Sequence, residues 1–278
     1  FLRLLFRKFQ VLYLIVLKQQ RRNYHKIKLM SQISISKMPD GFDHRAFLSI
    51  DSTNKEAVRQ IEKGAKSGLW ISATEQTLGR GRGGREWISK PGNLFSTLIY
   101  DTKKSLCHPA QLSFVTSLAV RGAVATFVDT DDVKCKWPND VLVNGKKISG
   151  ILLETYSNDK AENLMILGIG ININHHPENP LYPATHINER SDKSFTHNDV
   201  FQALTNKMAY WLNIWQEQGF KIIRKEWLNK AKGQGEKITV RLPNEEINGR
   251  FVDLDANGAL MLEIGDKIRL IHSGDVFF

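Results

Sequence analysis

Residues 79–87 of this 278-residue chain read Gly-Arg-Gly-Arg-Gly-Gly-Arg-Glu-Trp, with four glycines and three arginines in the first seven positions. Glycine weakens helices and strands, so a segment this rich in glycine forms a loop. The sequence is β-rich on both sides, in 69–74 and 93–100, so the loop joins two strands. Glycine N–H groups can approach an anion closely, and guanidinium groups bind phosphate or carboxylate oxygens in pairs. We therefore predict that 79–87, the flap, is a mobile cationic loop over an anionic ligand.

Other interpretations of the flap are a solvated Gly/Arg loop and an RNA-binding tract. The letters Gly79-x-Gly81-x-x-Gly84 also match the dinucleotide fingerprint, but a strand follows where a helix must receive the pyrophosphate, which excludes that interpretation.

The net charge of +10 at first suggests that the protein binds nucleic acid. However, residues 1–39 hold nine Lys/Arg and no Asp or Glu, which leaves 40–278 at +1. A nearly neutral body gives no general argument for nucleic-acid binding.

The N-terminal arm, residues 1–40, is basic and apolar. Its uninterrupted apolar run, 11–17, is too short to span a bilayer, and no small-residue cleavage site of a signal peptide follows it. We expect the arm to be disordered or outside the fold, with the working protein starting near Met30 or Met38.

The cysteine content indicates the compartment. Cys107 and Cys135 are the only cysteines, and they form neither a disulfide framework nor a metal-binding spacing. We expect both to be buried small side chains in a reduced, cytoplasmic protein.

Local patterns predict several elements. Thr53 and Glu56 have the spacing of a helix capping box, as do Thr196 and Asp199 before a long amphipathic helix. A buried helix is predicted for 111–128, because its residues are apolar almost all round. Short strands surround these helices, and the polar, turn-rich segment 174–195 reads as a loop. Asn144-Gly145 predicts a hairpin turn of type I′ between two of the strands.

Five short motifs follow one another along the chain. Each alone is a weak indication, but the ordered combination is highly specific. They are Ser52-Thr53-Asn54, the flap, Lys136-Trp137-Pro138-Asn139-Asp140, Lys147-Ile148-Ser149-Gly150-Ile151-Leu152 and Gly168-Ile169-Gly170-Ile171-Asn172. Over roughly residues 46–278 this order closely resembles the biotin protein ligases.

The resemblance implies a fold of the α+β class. A mixed or antiparallel central sheet with flanking helices, like that of the class II synthetases, would form a catalytic domain at 41–233. A small SH3-like β-barrel would follow at 234–278. Alternating apolar residues from 236 onward independently predict four or five short strands there, although periodicity alone does not distinguish one small barrel from another.

The resemblance also implies an activity and its partners. Biotin protein ligases use ATP and Mg²⁺ to activate biotin as biotinyl-5′-AMP, and then transfer the biotin to one lysine of a biotin carboxyl carrier domain. A homodimer is possible. Many members carry an N-terminal winged helix that binds an operator; the segment ahead of Ser52 lacks its pattern, so we expect a monofunctional ligase without DNA binding.

The chemistry assigns roles to charged residues. A carboxylic acid joins an amine only after activation, and a site that does this with ATP must gather negative charge against fixed cations. Lys147 can neutralise the reacting carboxylate and the α-phosphate together, and the family places a lysine here. The competing interpretation is a surface hairpin lysine after Asn144-Gly145. Asp140 can orient the attacking lysine amine or accept its proton. The resemblance implies that Arg82 guards the adenylate.

The remaining candidates divide into two groups. For biotin, polar head-group contacts and close backbone approach point to Ser52, Thr53, Asn54, Gln76, Lys147 and Gly150, and the resemblance adds Gly79 and Arg80. For the nucleotide and its phosphates, the candidates are Arg82, Arg85, Lys136, Asn139 and Asn172, and the resemblance adds Trp87 at the adenine. A simpler explanation for 136–140 is a strand stopped by proline and followed by a turn. We read His175 and His176 as solvated side chains and assign no structural metal.

Two further functions are kept as alternatives. Lipoate or octanoate ligases share the fold class, but their families lack this flap followed by the Lys-Trp-Pro-Asn-Asp motif. The second alternative is a nucleic-acid-binding module built on the flap. It is disfavoured by the near-neutral body and by the lack of flap aromatics other than Trp87.

Overall fold

The computed structural model describes residues 37–102, 108–158, 161–178 and 182–278. Most of the arm and Cys107 lie outside these residues, so the expectations for them are not addressed. Among the described residues, no helix combines the length and apolar character needed to cross a membrane. The elements are β1 (Asp43–Ile50), α1 (Thr53–Glu62), β2 (Leu69–Gln76), β3 (Leu94–Asp101), α2 (Leu112–Val124), β4 (Val133–Lys136), β5 (Asp140–Val143), β6 (Lys146–Asn158), β7 (Ala161–Ile171), α3 (His197–Gln218), α4 (Phe220–Asn229), β8 (Lys237–Arg241), β9 (Glu246–Leu254), β10 (Leu260–Ile264), β11 (Lys267–Ile271) and β12 (Asp275–Phe277).

The central sheet has seven strands in the order β1-β2-β3-β7-β6-β5-β4. β1 and β2 run parallel and are joined by α1, as a crossover connection requires. The other neighbouring pairs are antiparallel. The predicted α+β class with a mixed sheet is confirmed.

Helices cover both faces of this sheet. Successive strand residues point to opposite faces, and β2 divides its apolar side chains in that way. Ile71 lies in a small core with Ala57 and Ile61 of α1. Trp70 lies in the large core on the other face, with its ring centroid 5.5 Å from that of Phe201 in α3.

The C-terminal unit is a five-stranded antiparallel sheet in the order β11-β10-β9-β8-β12, consistent with the SH3-like expectation. β11 and β12 stand at its two edges, so the sheet is open. Its core is continuous with that of the central sheet. Trp227 of α4 lies 5.2 Å from Phe114 of α2 and 6.5 Å from Phe251 of β9, between ring centroids. The shared core therefore fixes the position of β12 relative to the central sheet.

The capping box predicted for Thr53 and Glu56 is wrong. α1 begins at Thr53 with Ser52 at the N-cap, and no side chain at the N-cap position accepts a hydrogen bond. The Thr53 N–H and hydroxyl both donate to Gln76 Oε1, at 2.8 and 3.0 Å. Glu56 instead accepts from Arg59 and Gln60. An amide from β2 thus satisfies a helix terminus that local sequence alone would leave to Thr53.

Two helices differ from the sequence predictions. The helix predicted for 111–128 is shorter, since α2 ends at Val124 and a 3₁₀ turn, Pro109–Gln111, precedes it. α4 was not predicted. It follows α3 after a single residue, Gly219, whose φ of 72° breaks the helical path between them.

Two local predictions are confirmed. Thr196 and Asp199 form a reciprocal capping box at the start of α3. The turn between β5 and β6 has positive φ at both central residues, 49° at Asn144 and 73° at Gly145, as a type I′ hairpin requires.

The pH dependence of stability provides a first prediction, centred on His44. Its Nε2 lies 2.8 Å from Ser72 Oγ. Burial, with a smaller contribution from the charge of His197, lowers the pKa of His44 from 6.5 to about 4. The unfolded chain therefore binds this proton at a higher pH than the folded chain. Stability from this group is present above pH 6.5 and is lost as the pH falls towards 4, by at most about 3 kcal/mol.

Urea unfolding at pH 7 and pH 4.5 measures this loss. We expect His44→Gln to show a smaller loss between the two pH values than the wild type does. The exposed His272 provides the matched control, because His272→Gln should keep the wild-type loss. An equal loss in all three proteins would show that folding does not lower the pKa of His44.

Candidate active site

One cavity of about 320 Å³ lies between the flap, the start of α1, strands β5–β7 and β12. All but one of the candidate residues from the sequence line it. They are Ser52, Thr53, Asn54, Gln76, Arg80, Arg82, Arg85, Trp87, Lys136, Asn139, Asp140, Lys147, Gly150 and Asn172. The fold thus brings together side chains from segments more than 100 residues apart.

Gly79 is the exception. A Cβ at this position would lie 2.4 Å from Ser89 Oγ and 2.4 Å from the carbonyl oxygen of Trp87. The Trp87 N–H also donates to the Gly79 carbonyl at 3.0 Å. The glycine is therefore required where the two ends of the flap pack together, and it does not line the cavity.

Two glycines form a platform beneath Trp87. Gly150 of β6 and Gly170 of β7 are direct partners across the antiparallel pair. A Cβ at Gly150 would lie 3.0 Å from the indole ring, and one at Gly170 would lie 2.5 Å from it. The ring therefore occupies the space that two side chains would fill. The close approach expected at these glycines is made by a flap side chain, and at Gly168 it is made by Asn54.

Lys147 faces the cavity because β6 contains a bulge. Its partner strand pairs Val141 with Ser149 and Leu142 with Lys147, so Ile148 is the extra residue. An extra residue reverses the alternation of side chains, which brings Lys147 to the same side as Gly150. Lys147 Nζ lies 2.6 Å from Asp140 Oδ1, so the two side chains form an ion pair.

The charges around the cavity favour an anionic ligand. Five cations line it against three carboxylates: Arg80, Arg82, Arg85, Lys136 and Lys147 against Glu86, Asp140 and Asp275. Burial lowers the pKa of the Arg82 guanidinium and of the Lys136 ammonium. Buried cations are poorly solvated, so an anion that enters the cavity gains more from them than from surface cations.

A network of neutral polar groups forms another part of the wall. Gln76 accepts from Thr53 and donates to Ser89 Oγ at 2.9 Å, and that hydroxyl donates to the Trp87 carbonyl at 2.7 Å. Asn54 accepts from Thr97 and donates to Glu154, at 2.7 Å in both cases. These bonds fix the amide groups before any ligand binds, which lowers the entropic cost of recognition.

The comparisons with known proteins identify the family. The model of the Biotin/lipoate A/B protein ligase family matches residues 46–172, and that of the Biotin protein ligase C terminal domain matches 234–278. A biotin–[acetyl-CoA-carboxylase] ligase of Paracoccus denitrificans is 34% identical, over 82% of this chain and 97% of that protein. The chain belongs to the biotin protein ligase family.

Solved structures of biotin protein ligases agree with this placement. The Aquifex aeolicus ligase in complex with biotin and ATP has a TM-score of 0.73 at 29% identity, over 84% of this chain and 97% of that one. The Leishmania major ligase in complex with biotinyl-5-AMP has a TM-score of 0.62 at 26% identity, over 84% of this chain and all of that one.

β12 contributes to the site of this ligase-family chain, which no motif in the sequence predicted. Arg85 forms two hydrogen bonds with Asp275, at 3.1 and 3.2 Å. Arg82 donates to Asn139 Oδ1 at 2.8 Å and to the Gly274 carbonyl at 3.3 Å. The C-terminal sheet therefore binds the flap through the flap residues Arg82 and Arg85. No local pattern identifies this contact, because the partners lie 190 residues apart.

Tyr182 was missed as well. It lines the cavity, with its ring centroid 4.7 Å from Lys136 Nζ and 5.5 Å from the ring of Phe277. The two histidines read as solvated side chains are in fact both engaged. His175 contacts Asn93 and the Pro91 carbonyl, and the His176 ring lies against that of His186.

The contact between the flap and β12 yields a second prediction. Asp275→Asn removes the charge that pairs with Arg85, so the flap should open more often and trypsin should cleave after its arginines faster. An exposed ion pair contributes up to about 1 kcal/mol, which corresponds to a rate increase of up to about fivefold. Limited proteolysis followed by mass spectrometry gives the cleavage rate at each arginine.

Glu245→Gln is the matched control. It breaks an exposed pair with Arg269 in the same sheet, and neither of these residues lines the cavity beneath the flap. It should therefore leave flap cleavage unchanged. Equal rates in wild type and Asp275→Asn would mean that the ion pair does not restrain the flap.

Proposed function

We propose that this chain is an ATP-dependent biotin protein ligase, a biotin–[biotin carboxyl-carrier protein] ligase. It converts biotin and ATP to biotinyl-5′-AMP and pyrophosphate, and then transfers biotin to one lysine of a biotin carboxyl carrier domain. The observation that carries the proposal is the single cavity in which a neutral polar wall and a glycine platform adjoin five cations. Relatives with ligand-bound structures contain biotin with ATP, or biotinyl-5-AMP.

The neutral wall suits the head group of biotin. Its ureido ring carries no charge and offers both donors and acceptors, which Ser52, Thr53, Asn54 and Gln76 can complement. Arg80 lies close by and pairs with Glu154. The aliphatic acid tail of biotin would then run beside the Trp87 ring, which covers Gly150 and Gly170, towards Lys147.

Lys147 is proposed to act in the first step. A biotin carboxylate oxygen attacks the α-phosphorus, the bond to the β-phosphate oxygen breaks, and pyrophosphate leaves with the electron pair. Two anions must approach each other in this step, and their repulsion opposes it. The Lys147 ammonium can bind an oxygen of each anion at once, and its stabilisation increases as charge accumulates on the phosphate.

Phosphate binding is proposed for the other cations. Arg82, Arg85 and Lys136 reach the cavity from the flap and β4, with Asn139 beside Arg82. Asp140 and Asn172 line the cavity and would offer oxygen ligands to the Mg²⁺ that accompanies ATP, and this ion would offset part of the phosphate charge. Trp87 is proposed to border the adenine.

Asp140 is proposed to act in the second step. The lysine amine of the carrier attacks the acyl carbon, the bond to the phosphate oxygen breaks, and AMP leaves. The attacking amine must lose a proton, and a carboxylate 2.6 Å from Lys147 is placed at the reacting centre to orient the amine or accept that proton. The flap, closed over the mixed anhydride, keeps water out until the carrier arrives.

The partners and location complete the proposal. The protein partner is the carrier domain of a biotin-dependent carboxylase. A homodimer and a cytoplasmic location are proposed from the family resemblance and from the scarcity of cysteines. No DNA-binding role is included, in keeping with the nearly neutral charge of 40–278.

A lipoate or octanoate ligase is the second candidate, since one matching family model covers both activities. The match of 234–278 to the biotin protein ligase C-terminal domain favours biotin. The deciding experiment mixes the protein with ATP, Mg²⁺ and an acceptor carrier domain, and supplies labelled biotin or labelled lipoate. Label on the carrier lysine from biotin alone supports the proposal, and label from lipoate alone overturns it.

Lys147→Ala tests the first step. Loss of one positioned electrostatic contact to the transition state typically slows a reaction about 10²–10³-fold. We expect a loss of that size in the biotin-dependent exchange of labelled pyrophosphate into ATP. Lys146→Ala, at the exposed neighbouring lysine, is the matched control and should retain wild-type exchange. Near-normal exchange in Lys147→Ala would remove this lysine from the mechanism.

Arg82→Gly tests retention of the intermediate. The substitution removes the contacts to Asn139 and Gly274 that hold the flap over the cavity. Adenylate formation should continue, but biotinyl-5′-AMP should escape and label bystander proteins such as serum albumin. Lys63→Gly, at an exposed lysine outside the cavity, should leave bystander labelling at the wild-type level. Unchanged bystander labelling in Arg82→Gly would show that this arginine does not retain the intermediate.

A further inference from the structure

Three metal-ligating side chains meet beside the active-site cavity. His176 follows β7. His186 immediately precedes a short 3₁₀ turn, Ile187–Glu189, and Glu189 is the last residue of that turn. The Nδ1 atoms of His176 and His186 are 2.9 Å apart. Glu189 Oε2 lies 3.6 Å from His176 Nδ1 and 3.5 Å from His186 Nδ1. All three side chains are partly solvent-accessible, so an ion from solution can reach them.

The spacing of the three ligand atoms fits one metal ion. A triangle with these sides has a circumscribed radius of about 1.9 Å, so a point slightly above its plane lies about 2.0–2.1 Å from every corner. That is the ordinary bond length from zinc to imidazole nitrogen or carboxylate oxygen. Four-coordinate geometry at these bond lengths separates neighbouring ligand atoms by roughly 3.3 Å, the middle of the observed range.

The donor types and their surroundings select the class of ion. Two imidazoles and one carboxylate, with a fourth position left for water, suit Zn²⁺ and other divalent transition metals, whereas Mg²⁺ prefers oxygen ligands only. The Thr185 hydroxyl donates to Glu189 Oε2 at 3.0 Å and so orients the carboxylate. His175 is adjacent in sequence but is engaged by Asn93 and Pro91, and therefore does not compete for this position.

We propose that His176, His186 and Glu189 bind one divalent transition-metal ion of the Zn²⁺ type. The ion joins the end of β7 to the segment 183–189. This segment is paired with the strand that carries the active-site lysine: the Lys147 N–H donates to the Pro183 carbonyl at 2.7 Å, and the Thr185 N–H donates to the Lys147 carbonyl at 3.0 Å. The bound metal thus secures one wall of the cavity from outside it.

A pair of neutral histidines can satisfy itself without a metal, with one Nδ1–H donating to the other Nδ1. Glu189 also accepts from Thr185 and lies 4.0 Å from Arg190, but neither contact accounts for an Oε2 atom within 3.6 Å of both imidazole nitrogens. The proposal does not depend on which acid the enzyme activates, because its test measures metal binding and thermal stability in the absence of biotin and ATP.

The experiment uses the untagged full chain, stripped of metal by a chelator and returned to chelator-free buffer. Zn²⁺ is titrated in competition with a chromophoric chelator, and Co²⁺ absorption reports the coordination geometry. We expect one equivalent of Zn²⁺ to bind and to raise the Tm, and Co²⁺ to show the intense visible bands of a four-coordinate site. His186→Ala and Glu189→Gln should each weaken Zn²⁺ binding by more than about tenfold, since even outer-shell changes cost that much.

His272→Ala is the matched control at an exposed histidine outside the cluster, and it should bind as the wild type does. Glu189→Gln keeps the size and the hydrogen-bonding capacity of the side chain, so it remains informative if His186→Ala fails to fold. The proposal is overturned if the wild type binds no stoichiometric Zn²⁺. It is also overturned if the folded variants bind Zn²⁺ as tightly as the wild type.

Discussion

The ion pair between Lys147 and Asp140 is the contact on which the site depends. Both residues belong to the hairpin of β5 and β6, and the bulge at Ile148 brings the lysine to the cavity side. Without the extra residue, strand alternation would direct Lys147 away from Gly150 and from the cavity. The pair keeps a cation and a carboxylate together at the cavity. In the proposed reaction the cation stabilises negative charge on the phosphate, and the carboxylate orients the attacking amine or accepts its proton.

The other parts of the site are arranged around this hairpin. The glycine platform leaves room for Trp87, whose ring centroid is 5.6 Å from Lys147 Nζ, so the flap reaches the lysine as well. The arginines of the flap are bound to β12, and β12 is fixed by the core that Trp227 shares with α2 and β9. The C-terminal sheet therefore contributes to the active site through the flap.

Much of the site could be predicted from the sequence. The residue types in each motif indicate a chemical role, and the order of the motifs along the chain indicates the family. The mixed sheet was implied by the family resemblance, whereas the hairpin turn at 144–145 and the capping box of Thr196 followed from local patterns. Contacts between distant segments did not. Thr53 donates to Gln76, 23 positions away, and does not form the predicted capping box. Asp275 binds the flap residue Arg85, 190 positions away. His186 and Glu189 gave no pattern with His176, since only the folded turn brings them together.

A crystal structure with a non-hydrolysable analogue of biotinyl-5′-AMP tests the central claim most directly. The account predicts that Lys147 Nζ lies within about 3 Å of an acyl or phosphate oxygen of the analogue, with Asp140 still adjacent. It also predicts that the tail of the biotin moiety lies beside the Trp87 ring beneath a closed flap. An analogue bound elsewhere, with Lys147 in contact only with Asp140, would contradict the account.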